Sequence, residues 1–348
     1  MLLLASIAAF LLTAILAALL YQSIGRRRDR SRWPAPGRLV EIGEGTRLHL
    51  YELGRSNGPA VIFEAGLCAT SLNWRHLQKT LAPFARVITY DRAGLGWSDA
   101  IDTPRNPLNL ARELRALLEA AEIKPPYILV GHSFGSFVVH RFANLYPENV
   151  AGVLLLDPLT PQEWSPLSEE AEDQLAKGIR LARRGTLLAR FGLIRFAVSL
   201  GMRGYRRLPA ALDSAATGAG TRAFARVAAQ VNKMPREVWP IIAAHWSNPQ
   251  FFKTALAYLR ALPANASQMA SATPITGIPV VSITGSKNES LAENAARRIA
   301  PEGIHIRATR SGHWVHLDEP EVVSEVLRDM LETVRHDLAA LAAFARAS

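Results

Sequence analysis

The sequence predicts an α/β fold. A mostly parallel sheet is flanked by helices, a helical cap is inserted after the sixth strand, and a transmembrane helix stands at the N-terminus. Three observations carry this expectation. Short apolar runs alternate with segments of helical apolar spacing along most of the chain, which is the pattern of parallel strands joined by helical crossovers. The alternation stops between about residues 160 and 273, where the sequence is Ala- and Arg-rich and holds no strong strand. Finally, Leu2–Ile24 carries no charge.

That first run is long enough, at 1.5 Å per residue, to cross a hydrocarbon core of roughly 30 Å. Tyr21 falls near its end, where an amphipathic ring suits the interface. Arg26, Arg27, Arg28, Arg30 and Arg32 follow at once. A cleaved leader has its basic residues first and small residues at the cleavage site; here the order is reversed and "LLYQSIG" fits poorly. Residues 1–25 are therefore expected to be a retained single-pass anchor. The positive-inside rule puts the rest of the chain in the cytoplasm. Residues 26–37 read as a basic, proline-containing linker in which Pro34 and Pro36 bar helix.

From residue 38 the elements follow in turn. "RLVEI" and "TRLHLYEL" form a hairpin around Gly43–Gly45. "AVIFEA" (60–65) is a buried strand, 71–84 a helix, and "ARVITYD" (85–91) a strand. Apolar spacing over 108–123 is helical. "YILVGH" is a strand, "SFVVHRFANLYP" a helix, and "VAGVLLLDP" (150–158) the sixth strand. The cap, 160–273, is broken by Pro209, Pro235, Pro240, Pro249 and Pro263. Strand "IPVVSITG", helix "SLAENAARRIA", strand "GIHIRAT" and a long helix after Pro320 complete a core of 38–159 and 274–348.

The chain has 348 residues, 49% of them hydrophobic and 20% charged, so a sizeable core is available and global disorder is excluded. One cysteine, Cys68, rules out a disulfide framework. No ligand spacing suggests a metal, and no phosphate loop or dinucleotide fingerprint suggests a cofactor. The net charge is +10, and Lys177 to Arg236 alone holds thirteen Lys/Arg against Asp213. This is either a solvated surface or a face turned toward anionic lipid. Nucleic acid is not an expected partner, because no binding signature accompanies the charge.

Gly131-His132-Ser133-Phe134-Gly135 fits G-x-S-x-G between a strand and a helix. The turn there is sharp, its serine takes a strained backbone conformation, and its neighbours must be small. The hydroxyl stands beside a helix N-terminus, whose N–H groups favour negative charge. Ser133 is the candidate nucleophile.

"EAGL" after the third strand, "YDRAGLGWSD" after the fourth, "GHSFGS" after the fifth and "SGHWVHLDEP" after the last together resemble the α/β-hydrolase superfamily over residues 38–335. The likeness is to bacterial cap-containing serine hydrolases. It implies that His313, after Gly312, is the base for Ser133, while His316 packs or caps the closing helix. The supporting acid often sits in a G-x-x-D turn, which here reads Gly285-Ser286-Lys287-Asn288. Asp157, at the end of the sixth strand, is the preferred third member. If it only caps "DPLTP", Asn288 or Glu289 takes that place. By family position the backbone amides of Phe134 and Leu67 form the oxyanion hole. "DRAGLGWSD" is read as fold-determining, with Asp91 and Arg92 bonding the loop.

The resemblance implies a cofactor-free serine hydrolase, foremost one cleaving esters of apolar acids or alcohols. Amidase, peptidase, thioesterase, acyltransferase and haloperoxidase chemistry would use the same residues. Epoxide hydrolases and haloalkane dehalogenases use an aspartate nucleophile where this chain has Ser133. A non-catalytic, membrane-anchored binding protein of this fold is the alternative outside enzymes. The cap aromatics Trp164, Trp239, Trp246, Phe251, Phe252 and Tyr258 either line an apolar substrate pocket or form the cap's own core.

Overall fold

A computed structural model of the chain describes residues 1–55, 58–203, 230–285 and 289–347. Two compact units are present, Met1–Ala35 with Glu172–Arg260 and Pro36–Ala171 with Ala261–Ser348.

The second unit is built on an eight-stranded sheet. Its strands are β1 (Arg38–Glu41), β2 (Arg47–Leu53), β3 (Ala60–Glu64), β4 (Arg86–Tyr90), β5 (Tyr127–His132), β6 (Val150–Leu156), β7 (Val280–Gly285) and β8 (Ile304–Ala308). The spatial order is β1-β2-β4-β3-β5-β6-β7-β8. β1 and β2 form the expected hairpin, β2 pairs antiparallel with β4, and every other pairing is parallel. Parallel strands buried on both faces need continuous apolar runs, and β3, β5 and β7 are buried at every position.

Alternate residues of those runs feed opposite faces. On one face Ile62, Leu129 and Leu155 pack with Leu114 of α3 (Pro107–Ala120) and Phe142 of α4 (Gly135–Leu145). On the other, Val61, Phe63, Val130 and Leu154 pack with Leu77 of α2 (Arg75–Leu81) and Leu327 of the closing helix (Pro320–Ala347). Asn106 caps α3, its side chain accepting the Asn109 N–H at 2.9 Å, and Pro107 follows at the first turn, where proline loses no helical bond.

A buried carboxylate, Asp91, ties the "DRAGLGWSD" turn after β4 to neighbouring segments, and Asp99 at its end meets Arg47 at 2.9 Å. Asp91 is fully buried and accepts the backbone N–H of Ser71 (2.7 Å) and of Trp97 (3.1 Å). It also bonds Nδ1 of the equally buried His49 at 2.8 Å. Three chain segments thus share one charge.

The first unit begins with α1, Leu2–Arg32. The helix runs through residues expected to be linker. Five of residues 26–32 are arginines, which favour helix and outweigh the weaker formers Asp29 and Ser31. The helix stops before Trp33, whose place ahead of Pro34 disfavours helical angles. Leu2, Leu3, Leu4, Phe10, Leu12, Leu16 and Leu20 are exposed. Among the described residues α1 is the one helix long and apolar enough to cross a membrane.

The unit's other helices are α5 (Glu169–Arg190), α6 (Leu193–Arg203), α7 (Trp239–Trp246) and most of α8 (Pro249–Ala270). Pro240 and Pro249 stand at helix starts, as expected of breakers. Pro263 does not break α8, which runs through it. The loss of one backbone bond there is offset by burial of Leu262 and Ala266 on either side. Pro209 lies outside the described residues. Some of the cap aromatics pack on their own unit: Tyr258 is fully buried, Phe252 is buried against Gly185, and the Phe251 ring meets Phe252 edge-on at 5.2 Å.

Removing the Asp91 carboxylate strands two buried donors, at Ser71 and His49, and the part-buried Trp97 N–H. Asp91→Ala is expected to lower unfolding free energy by about 3–5 kcal/mol, measured by denaturant titration. A loss below 1 kcal/mol would mean the turn holds without it.

Candidate active site

Ser133 leaves β5 at φ +50° and is nearly buried, and Phe134 returns at once to helical angles ahead of α4. Positive φ strains a residue that carries a Cβ. Neighbouring bonds hold it: the Ser133 N–H donates to Leu156 O at 3.0 Å, and its carbonyl accepts from the Ser136 N–H (2.9 Å) and the Leu159 N–H (3.2 Å). Gly135 shows why the elbow needs small residues. A Cβ there would lie 2.5 Å from Glu64 O and 2.9 Å from Ala65 O, the backbone leading into "EAGL".

Asp157 follows β6 at φ +42°. Its N–H donates to Ile283 O of β7 at 2.8 Å, and Oδ1 accepts the Gly285 N–H at 3.2 Å. Oδ2 bonds His313 Nδ1 at 2.6 Å. The carboxylate is thus steered by two strands before it meets the ring. The His313 carbonyl meets Nε2 of His132 at 2.8 Å, and the two rings stand 4.8 Å apart. Asp157 and His313 are therefore bonded to each other, after β6 and β8, on the sheet edge where β5 ends just before Ser133. Of the other sequence candidates, Asn288 lies outside the described residues, and Glu289 begins the helix Glu289–Ile299. His316 packs as expected, buried with its ring 4.4 Å from Trp74 and 4.5 Å from His132.

The loop carrying Leu67 is fastened from below. Arg92, nearly buried, donates to Glu64 Oε1 (2.7 Å), to Ala65 O (2.8 Å) and to Gly66 O, and lies over the Phe134 ring at 5.5 Å. Tyr90 donates to the other Glu64 oxygen. Burial pushes the Glu64 carboxyl up, while Arg92 and the Tyr90 hydroxyl pull it down. Sequence reading places Arg92 in the "DRAGLGWSD" loop without its reach to "EAGL", and it misses Glu64, whose only signal is a lone acid at the end of an apolar strand. Glu163, in the turn Pro161–Glu163, was also missed. Burial raises its pKa first and the Asp157 charge second, with His313 acting against them. A second carboxyl thus stands near the Asp157–His313 pair. Burial pushes the thiol of Cys68, next to Leu67, up to about 12.

A serine at a strained strand-to-helix turn, with a carboxylate-bound imidazole on the same sheet edge, is an arrangement suited to nucleophilic catalysis. The chain matches a family model for the alpha/beta hydrolase fold over residues 59–320, and it belongs to that family. It is similar to the uncharacterized protein YqjL of Bacillus subtilis, at 35% identity over 33% of this chain and 46% of that one. It is also similar to a haloalkane dehalogenase of Sphingobium indicum, at 30% identity over 39% of this chain and 47% of the other. The chain therefore spans less than half the length of these curated relatives. Among solved structures, an esterase of Thermogutta terrifontis superposes with a TM-score of 0.57 at 20% identity, covering 85% of this chain and 97% of that one. At that identity the likeness speaks to fold alone.

His132 provides a pH test of the site's packing. Burial, then the nearby His316 and His313 rings, holds its pKa well below the usual value of 6.5. Below about pH 6.5 the unfolded chain binds a proton at residue 132 that the folded chain refuses, so its contribution is full above that pH and is lost as pH falls. Denaturant titrations across this range are expected to show a steeper acid loss for wild type than for His132→Asn. Equal slopes would contradict the burial described.

Proposed function

We propose that this family member is a serine hydrolase that cleaves carboxylic esters of apolar acids or alcohols through an acyl-enzyme. The observation that carries the reading is the 2.6 Å bond from Asp157 Oδ2 to His313 Nδ1, on the sheet edge that holds Ser133 at positive φ. Asp157 keeps the proton on Nδ1, which leaves Nε2 as the acceptor for the Ser133 hydroxyl. Ser133 Oγ attacks the ester carbonyl as Nε2 takes its proton. The Phe134 and Leu67 amides stabilise the oxyanion. Protonated His313 then gives its proton to the departing alkoxide. In the second half, His313 deprotonates a water that attacks the acyl-enzyme, and Ser133 is released. With a serine at the elbow the chain lacks the aspartate nucleophile of dehalogenases, so kinship to one does not carry that chemistry over.

A fluorophosphonate probe is expected to label wild type and spare Ser133→Ala, with turnover of p-nitrophenyl esters lost in parallel. Asp157→Asn is expected to lower kcat by about 10³–10⁴-fold, the scale set by the equivalent change in a serine protease. Equal labelling of wild type and Ser133→Ala would remove the reading. Undiminished turnover in Asp157→Asn would remove Asp157 from it.

We further infer that α1 is a retained single-pass anchor, with the remainder of the chain in the cytoplasm. Its end is built into the unit it belongs to, unlike a detachable leader. Gln22 is buried and donates to Ser247 O at 2.9 Å, and Tyr21 lies against Gly192. Arg195 donates to Gln22 Oε1 at 2.9 Å and to Asp29 at 2.6 Å. The expected outcome is that the chain stays in the membrane pellet after alkaline carbonate washing, with residue 2 still present by peptide mapping. Release into the wash, or cleavage before Tyr21, would contradict this.

A further inference from the structure

The polar end of α1 and its partner helices enclose a cleft of about 350 Å³. Arg26, Arg27 and Arg30 of α1 and Arg190 at the end of α5 line it, with Leu19 and Pro249 as its apolar part. No carboxylate is among the lining residues. Asp29, the acid nearest in sequence, is already bonded to Arg195. Arg195 itself crosses α1 at Gly25, where a Cβ would lie 2.4 Å from its Nε, so only glycine admits it. Its Nη2 is buried and has no hydrogen-bond partner among the described residues. Arg26 stands close enough to Arg30 and Arg195 to be repelled by both. Among the described residues the cleft is thus an assembly of like charges with no carboxylate in its lining.

Its position is equally specific. Leu19 belongs to the uncharged run and Arg30 to the basic one, and the two lie about 16 Å apart along a helix. On the anchor reading, on which this inference rests, that interval crosses from hydrocarbon into the headgroup layer. Guanidinium groups bind phosphate oxygens in a planar, two-pronged geometry.

We propose that the cleft binds the phosphate of an anionic phospholipid from the leaflet at the arginine end of α1. Leu19 accompanies the start of the acyl chains, and the arginines hold the phosphate. A free phosphate offers the same kind of oxygens but has no use for the apolar wall. A bound lipid would fix the rotation of α1 and of the unit packed on it relative to the bilayer.

The test uses the full chain in non-ionic detergent, titrated by native mass spectrometry with phosphatidylglycerol or phosphatidylcholine. Wild type is expected to retain phosphatidylglycerol selectively. Arg26→Gln with Arg190→Gln is expected to lower that affinity by about tenfold or more, and the corresponding double lysine variant to keep part of it. Arg27→Gln alone replaces the double variant if circular dichroism shows that the latter does not fold, with a smaller loss expected. Equal retention of the two lipids, or unchanged selectivity in the glutamine variants, would overturn the proposal. Displacement of the lipid by equimolar inorganic phosphate would also overturn it in favour of a soluble anion. Release by carbonate removes the anchor, whereas absent lipid selectivity removes this site alone.

Discussion

The bond between the Asp157 carboxylate and the His313 ring joins two loops 156 residues apart, and the arrangement of the site depends on it. The carboxylate does not reach the ring by chance of side-chain rotation. Its backbone is turned to positive φ at the end of β6 and tied to Ile283 of β7, and its other oxygen is occupied by the Gly285 amide. Two neighbouring strands, β6 and β7, therefore determine where His313 can stand. A neutral imidazole that donates from Nδ1 to a fixed acceptor keeps its other nitrogen as a base. That polarity is what the proposed chemistry needs from the fold.

Around that bond the structure spends strain in a small region. Ser133 and Asp157 both hold positive φ without being glycine. Such conformations persist where the surroundings over-determine them, and the surroundings here are the buried strands β5 to β7 with core on both faces. Below the elbow, the Glu64–Tyr90–Arg92 group secures the entry to "EAGL" by bonding its carbonyls. Asp91 secures the next turn along.

Much of this was legible in the sequence, for a physical reason. Parallel strands buried on two faces write themselves as apolar runs, and the elbow demands glycine where Gly135 meets the Glu64 carbonyl. Asp157 and His313 were legible because each ends or follows a strand in a family pattern. What was not legible depends on packing between distant segments. The role of Glu64 is set by Arg92, 28 residues on, and that of Glu163 by a turn folding toward Asp157. The continuation of α1 to Arg32 has a local propensity, but its fastening at Asp29 by Arg195 is a distant contact that no local signal announces. In the cap, Phe251 meets Phe252, a contact that spacing alone could not decide.

The most direct measurement is a crystal structure of the phosphonylated protein. The account predicts a bond from phosphorus to Ser133 Oγ, with the phosphoryl oxygen facing the Phe134 and Leu67 amides. It also predicts His313 Nδ1 still on Asp157, with Nε2 turned to the adduct. Phosphorus on any other side chain, or a His313 ring detached from Asp157 and directed away from residue 133, would contradict it.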